Sequence, residues 1–130
     1  MKIVLWILQL LLAAQFFWHG WILTFPPAEY VEAMNENMAV WFRLLLGIAE
    51  MIAALAIILP GLLRSMTWLV PLSAAGMLFV ALSATVWHFL RGENSSAYYT
   101  LVLVAITTFV AWMRWKVKPI MPRQSHGLSV

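Results

Sequence analysis

The chain holds 130 residues, 64% of them hydrophobic and only 10% charged, with a formal net charge of +3. A soluble domain carries about a quarter charged residues, so a water-exposed globular domain is excluded, and the length leaves no room for a second one. The absence of cysteine excludes a disulfide framework, a thiolate metal site, a cysteine nucleophile and a lipoprotein anchor.

Taken in chain order, the first apolar run covers residues 3–25 and stops at Pro26-Pro27. It continues well past the length of a signal-peptide core without a polar cleavage region, so it is expected to remain as a span. Residues 26–39 follow as a short amphipathic helix, with Tyr30, Met34 and Met38 repeating every fourth position and Glu29, Glu32 and Glu36 on other faces. The second apolar run, 40–59, stops at Pro60-Gly61; the third, 66–90, ends at Arg91-Gly92; the fourth, 97–113, runs into Arg114-Trp115-Lys116. Each is close to the ~20 residues that a helix needs to cross ~30 Å of hydrocarbon. The runs are continuous rather than alternating, which disfavours strands. The expected fold is all-α: an antiparallel four-helix transmembrane bundle over residues 1–118, with a flexible tail at 119–130 that carries an exposed His126. Eight tryptophans, Trp6, Trp41, Trp68, Trp87, Trp112 and Trp115 among them, suit an interfacial belt.

Lys2, Arg64, Arg114, Lys116, Lys118 and Arg123 fall at one end of such a bundle, and Arg91 with the four loop glutamates at the other. The positive-inside rule then puts both termini in the cytoplasm of a multi-pass plasma-membrane protein, expected to be bacterial. The basic tail reads as a topology signal and a contact for anionic membrane lipids, not for nucleic acid.

The second helix has the clearest periodicity. At 100° per residue Arg43, Gly47, Glu50, Ala54 and Gly61 share a stripe, opposite Leu45, Ile48, Ile52, Leu55 and Leu59. Small and charged residues favour protein over lipid, so this stripe is expected to face the bundle interior. Ala74, Met77, Ala81, Ala84 and His88 form a comparable stripe on the third helix. Gln15 and His19, next to Gly20, share a face of the first, and Thr100, Thr107 and Ala111 line up on the fourth. Gly20, Gly47, Ala54, Ala81 and Ala84 are the expected packing positions.

At a rise of ~1.5 Å per residue, His19 lies about 9 Å from the outer end of its helix, Arg43 about 5 Å, Glu50 about 15 Å and His88 about 4 Å. All ionisable residues within the spans thus fall in one half. This predicts a polar chamber opening outward, floored by Glu50 and walled by His19, Arg43 and His88. Two readings of Glu50 follow: an ion pair with Arg43 that fixes helix register, or a carboxylate that binds a ligand or handles protons. Gln15 and Trp18 complete the candidate ligand-binding set, Trp18 by stacking on a flat molecule. No metal-ligand spacing, phosphate loop, nucleophile elbow or dinucleotide fingerprint is present.

The chain resembles the DoxX-like family of small four-helix membrane proteins over about residues 1–115. The resemblance is carried by Met1-Lys2-Ile3 through Leu5-Trp6-Ile7, by Gly20, by Gly47-Ile48-Ala49-Glu50 running to Pro60, and by His88-Phe89-Leu90-Arg91-Gly92-Glu93. It departs at Leu23, where many relatives carry lysine, and at Ala53 and Ala56, where glycine is frequent. The family takes its name from a membrane subunit of a thiosulfate:quinone oxidoreductase. Other members resemble accessory factors in redox-stress or quinone-detoxification loci, and distant ones an animal chaperone for nicotinic receptors. The resemblance implies a fold more than an activity.

The expected function is that of an accessory protein binding a lipophilic, polar-headed molecule, a quinone being the cofactor considered. The alternatives are a quinone-linked oxidoreductase subunit and a membrane-protein assembly factor acting through helix contacts with a partner or a second copy. Catalysis by the isolated chain is disfavoured, because it has no electron-carrying residue of its own.

Overall fold

The computed structural model describes residues 1–122, and 83% of those residues are helical. Helix α1 spans Lys2–Thr24, α2 Ala28–Asn37, α3 Val40–Ala56, α4 Leu59–Leu63, α5 Leu69–Leu90 and α6 Asn94–Trp112. The last of these widens into a π-helical turn, Met113–Val117. Four helical stretches are long and apolar enough to cross a membrane: Lys2–Thr24, Val40–Leu63, Leu69–Leu90 and Asn94–Val117. Arg123 and His126, with the rest of the tail beyond residue 122, lie outside the described residues.

The second span is two helices rather than one. Pro60 has no N–H to give the preceding turn and its ring crowds the carbonyl four residues back, so α3 ends at Ala56 and α4 restarts at Leu59. The break frees the Ile57 carbonyl, and Gln9 Nε2 on α1 donates to it at 2.8 Å. Arg64 ends α4 in the left-handed region, φ 53°, and turns the chain toward α5.

The spans pack as two hairpins, α1 against α3 and α5 against α6, closed by α3–α5 and α1–α6 contacts. The predicted inward stripe of α3 is the buried one: Arg43, Gly47, Glu50 and Ala54, continued by Gly61 on α4. Leu45, Ile48, Ile52, Leu55 and Leu59 are exposed, facing lipid. On α5 the stripe of Ala74, Met77 and Ala81 is buried, and Ala84 faces a cavity described below. These small residues are therefore occupied within the bundle. A core of Leu12, Phe16, Ala54, Ile57, Val70, Ala74, Met77 and Val110 holds the four spans together.

Helices α1 and α3 approach closely. A Cβ on Gly20 would lie 2.5 Å from the Gly47 carbonyl oxygen, and one on Gly47 would lie 2.8 Å from the Gly20 carbonyl oxygen. Both obstacles are backbone, which cannot step aside as a side chain can, so contact at this crossing depends on glycine. Gly20→Ala and Gly47→Ala are each expected to cost about 1–3 kcal/mol, the range of an overpacked core. Gly76→Ala, with nothing within 4 Å of the added Cβ, is expected to cost none. Unfolding of the three variants in detergent, followed by near-UV circular dichroism, measures the contrast.

Candidate functional site

The glycine crossing sets His19 and Glu50 opposite each other. His19 precedes Gly20 and Glu50 lies one turn past Gly47. Their Cα positions differ in depth by about 6 Å on a ~1.5 Å rise, yet His19 Nδ1 and Glu50 Oε2 are 2.7 Å apart. The direction of the Cα–Cβ bonds explains this: in any helix they lean toward the N-terminus. Helices α1 and α3 are antiparallel, so His19 leans deeper into the bundle and Glu50 leans back toward the α2 end. The two side chains converge.

Glu50 is 3% exposed and His19 is 52% exposed, so the carboxylate reaches its surroundings through the imidazole. One hydrogen lies between two atoms that can each hold it, because an imidazole nitrogen and a carboxylate oxygen are both donor and acceptor according to protonation. The same pair lines a cavity of about 80 Å³ together with Gln15, Ala84, Tyr99 and Thr100. Tyr99 donates its hydroxyl hydrogen to Gln15 Oε1 at 2.5 Å, and the Thr85 and Thr100 hydroxyls lie 2.8 Å apart beside it. All four spans contribute to this wall, which presents imidazole, carboxyl, amide, phenol and hydroxyl groups. A space of this size holds a few water molecules, or the carbonyl or hydroxyl end of a larger molecule.

Arg43 does not pair with Glu50. Both side chains lean toward the N-terminus of the same helix, so the axial gap between them stays open. Arg43 turns instead to the end of α1, where the last carbonyls have no intrahelical partner. Its Nη1 donates to the Leu23 carbonyl, and its Nη2 lies 3.5 Å from Asn35 Oδ1 on α2. A cation at a helix C-terminus is favourably placed in the dipole, and here it ties α1, α2 and α3 together. Arg43, Leu23, Tyr30, Met34 and Met38 line a separate cavity of about 230 Å³ under α2.

His88 joins neither cavity. Its Nδ1 lies 2.7 Å from Glu93 Oε2, and Arg91 Nε donates to Glu93 Oε1 at 2.8 Å. Arg91 Nη1 also donates to Asn37 Oδ1 on α2 at 2.8 Å. The motif from His88 to Glu93 is thus a clamp that closes the α5–α6 turn and docks α2 onto it. Trp18 is 63% exposed. It flanks a shallow apolar groove with Leu10, Phe17 and Leu59, on a different face of α1 from the His19–Glu50 cavity. The expected single chamber is therefore divided: His19, Glu50 and Gln15 come together, Arg43 and His88 brace the α2 end, and Trp18 faces the lipid.

Tyr99, Thr85 and Gln9 were not among the candidates. Tyr99 reads as an interfacial aromatic, and only its position beside Thr100 on the inward face of α6 marks it. Gln9 is fully buried; an amide within an apolar run, one of two in the first span with Gln15, is the signal that marks it.

A small membrane protein of four spans, built around a close glycine crossing with an interior imidazole–carboxyl pair, is the class that this geometry defines. A sequence model of the DoxX-like family matches residues 7–110, and the chain belongs to that family. No curated protein and no solved structure shows a significant match.

The clamp titrates in a defined direction. The hydrogen bond from Arg91, and then that from His88, hold the Glu93 carboxyl below its ordinary value of 4.5. A carboxyl depressed in the folded state stabilises it above the unfolded value and loses that contribution as pH falls through the folded one. Glu93→Gln is therefore expected to be less stable than wild type at neutral pH, with the difference shrinking as the pH is taken below the ordinary carboxyl value of 4.5. Unfolding in detergent across that window measures it.

Proposed function

We propose that the protein is an accessory factor that holds a lipophilic molecule by a carbonyl or hydroxyl head, with His19 and Glu50 gripping the head and the apolar body lying between helices toward the lipid. A quinone is the ligand that the family resemblance implies. The observation that carries this reading is the 2.7 Å His19–Glu50 hydrogen bond on the wall of a small cavity whose remaining surface is mostly apolar, with Phe16, Val80 and Leu103 in its lining. A buried carboxyl is costly in such surroundings unless it is paired, and here the pair faces a space that Gln15, Tyr99 and Thr100 also face.

The donor set fits a quinone carbonyl: Nδ1 of His19 is engaged with Glu50, which leaves the imidazole's Nε2–H to supply a hydrogen to the head. The cavity admits the head and one edge of a ring, with the remainder toward the exposed His19 side. A bound quinone would supply two-electron redox chemistry. This chain's residues bind the head, orient it and hold a proton at Glu50 or His19. The assembly-factor reading has less support, because Ala81 and Ala84 face the bundle's own core and cavity. In the membrane, the end with Lys2, Arg64 and Lys118 faces the cytoplasm under the positive-inside rule, and the cavity then lies in the opposite half.

Protein purified in mild detergent is expected to carry a stoichiometric polar-headed lipophile, identified by mass spectrometry of organic extracts and, for a quinone, by its absorption. Glu50→Gln is expected to retain roughly tenfold less, the equivalent of one hydrogen bond to a charged group. Bulk lipid alone in wild-type protein, or unchanged retention in a folded Glu50→Gln variant, overturns the proposal.

A further inference from the structure

The opposite end of the bundle carries a second site, distinct from the His19–Glu50 cavity. From the sequence, Arg114 stands in the basic stretch after the fourth apolar run, which reads as a topology signal and a contact for anionic lipids. It is 3% exposed, held by its Nε donating to Gln9 Oε1 at 2.7 Å and its Nη1 donating to the Lys118 carbonyl at 3.0 Å. The guanidinium lies over the Trp6 ring, 5.5 Å from its centroid. Its remaining nitrogen, Nη2, is buried and has no partner among the described residues. A buried charged donor without an acceptor is a costly arrangement unless something supplies one.

Arg114 lines a cavity of about 500 Å³ together with Lys2, Arg64, Lys118 and Trp6. The chain segment after the last helix forms the remaining wall: Arg64 Nε donates to the Met121 carbonyl at 3.1 Å, and Ile120 packs against Gly61. Four cations thus share one cavity, and no side-chain carboxylate of the chain accompanies them. The sequence has five acidic residues in all. Glu50 is taken by His19 and Glu93 by the clamp, while Glu29, Glu32 and Glu36 stand on α2 at the far end.

We infer that this cavity binds a phosphate group whose negative charge is not offset within its own molecule, and that the source is the head of an anionic phospholipid. Cationic residues gathered where transmembrane helices end stand at headgroup depth. Arg114 brings to the cavity wall a buried charge whose Nη2 hydrogens no group of the described residues accepts, and arginine's planar fork suits a phosphate once the side chain turns toward it. Lys2, Arg64 and Lys118 surround the charge, and the lipid-facing sides of α1 and α4 accommodate the acyl chains. The site rests on a different observation from the proposed function and stands or falls separately from it.

The test uses the full chain in micelles doped with phosphatidylglycerol or phosphatidylcholine, with retained lipid counted by native mass spectrometry. Wild-type protein is expected to retain phosphatidylglycerol in preference to phosphatidylcholine. That preference is expected to fall about fivefold for each charge removed in Arg64→Gln and Lys118→Gln. Equal retention of the two lipids by wild-type protein overturns the inference without recourse to any variant. An undiminished preference in folded variants overturns it as well. Millimolar inorganic phosphate in the wild-type sample separates the sources: an unchanged preference supports a lipid head, whereas displacement of the lipid by phosphate overturns the lipid as source.

Discussion

Two glycines on neighbouring helices, Gly20 and Gly47, let the backbones of α1 and α3 touch, and the rest of the structure follows from that contact. With any larger residue at the crossing the helices would stand further apart, and His19 and Glu50 would no longer meet across it. The other elements keep the crossing in place. Arg43 fastens the end of α1 to α3 and α2 through the Leu23 carbonyl and Asn35. At the other end Gln9 joins α1 to the broken turn between α3 and α4 and to Arg114. In a lipid environment, where the hydrophobic effect offers little to bring one helix to another, close packing and interior hydrogen bonds do this work.

The molecule is electrically polar along its length. One end holds four of the five glutamates in α2 and the α5–α6 turn, with Arg91 and Arg43 among them. The other end holds Lys2, Arg64, Arg114, Lys116 and Lys118 and no acidic side chain. At the first end Arg91 has carboxylate and amide partners and Arg43 a backbone carbonyl and an amide; at the second, Arg64 and Arg114 have carbonyls, Gln9 and an aromatic face. The two ends therefore attract different chemistry, and the interior pair, His19 and Glu50, is remote in kind from both.

How far the site was legible depended on whether a residue's role was set by its own helix or by a neighbour. The α3 stripe was legible because burial of a single amphipathic helix follows from 100° periodicity alone. Glu50 stood out for the same reason, as a carboxyl on the inward face of an apolar run. Its partner was not legible. Arg43, on the same stripe, looked like the natural counterion, while His19 lay at a different nominal depth on another helix. What decides the pairing is the lean of side chains on antiparallel helices, which draws His19 and Glu50 together and leaves Arg43 pointing away. His88 and Trp18 were similarly drawn toward a chamber by depth alone, although one belongs to a turn clamp and the other to a lipid-facing groove.

Composition and periodicity by themselves determined that this chain is a membrane protein of four apolar spans, and which face of α3 is buried. These are local properties, set by apolar run length, by prolines and by the repeat of 3.6 residues per turn. Only the tertiary structure decided that Glu50 meets His19, that Arg43 closes α1, and that Gln9 and Arg114 form a buried couple at the basic end. Each of those depends on the rotation and separation of two helices, quantities to which no single helix's pattern is sensitive.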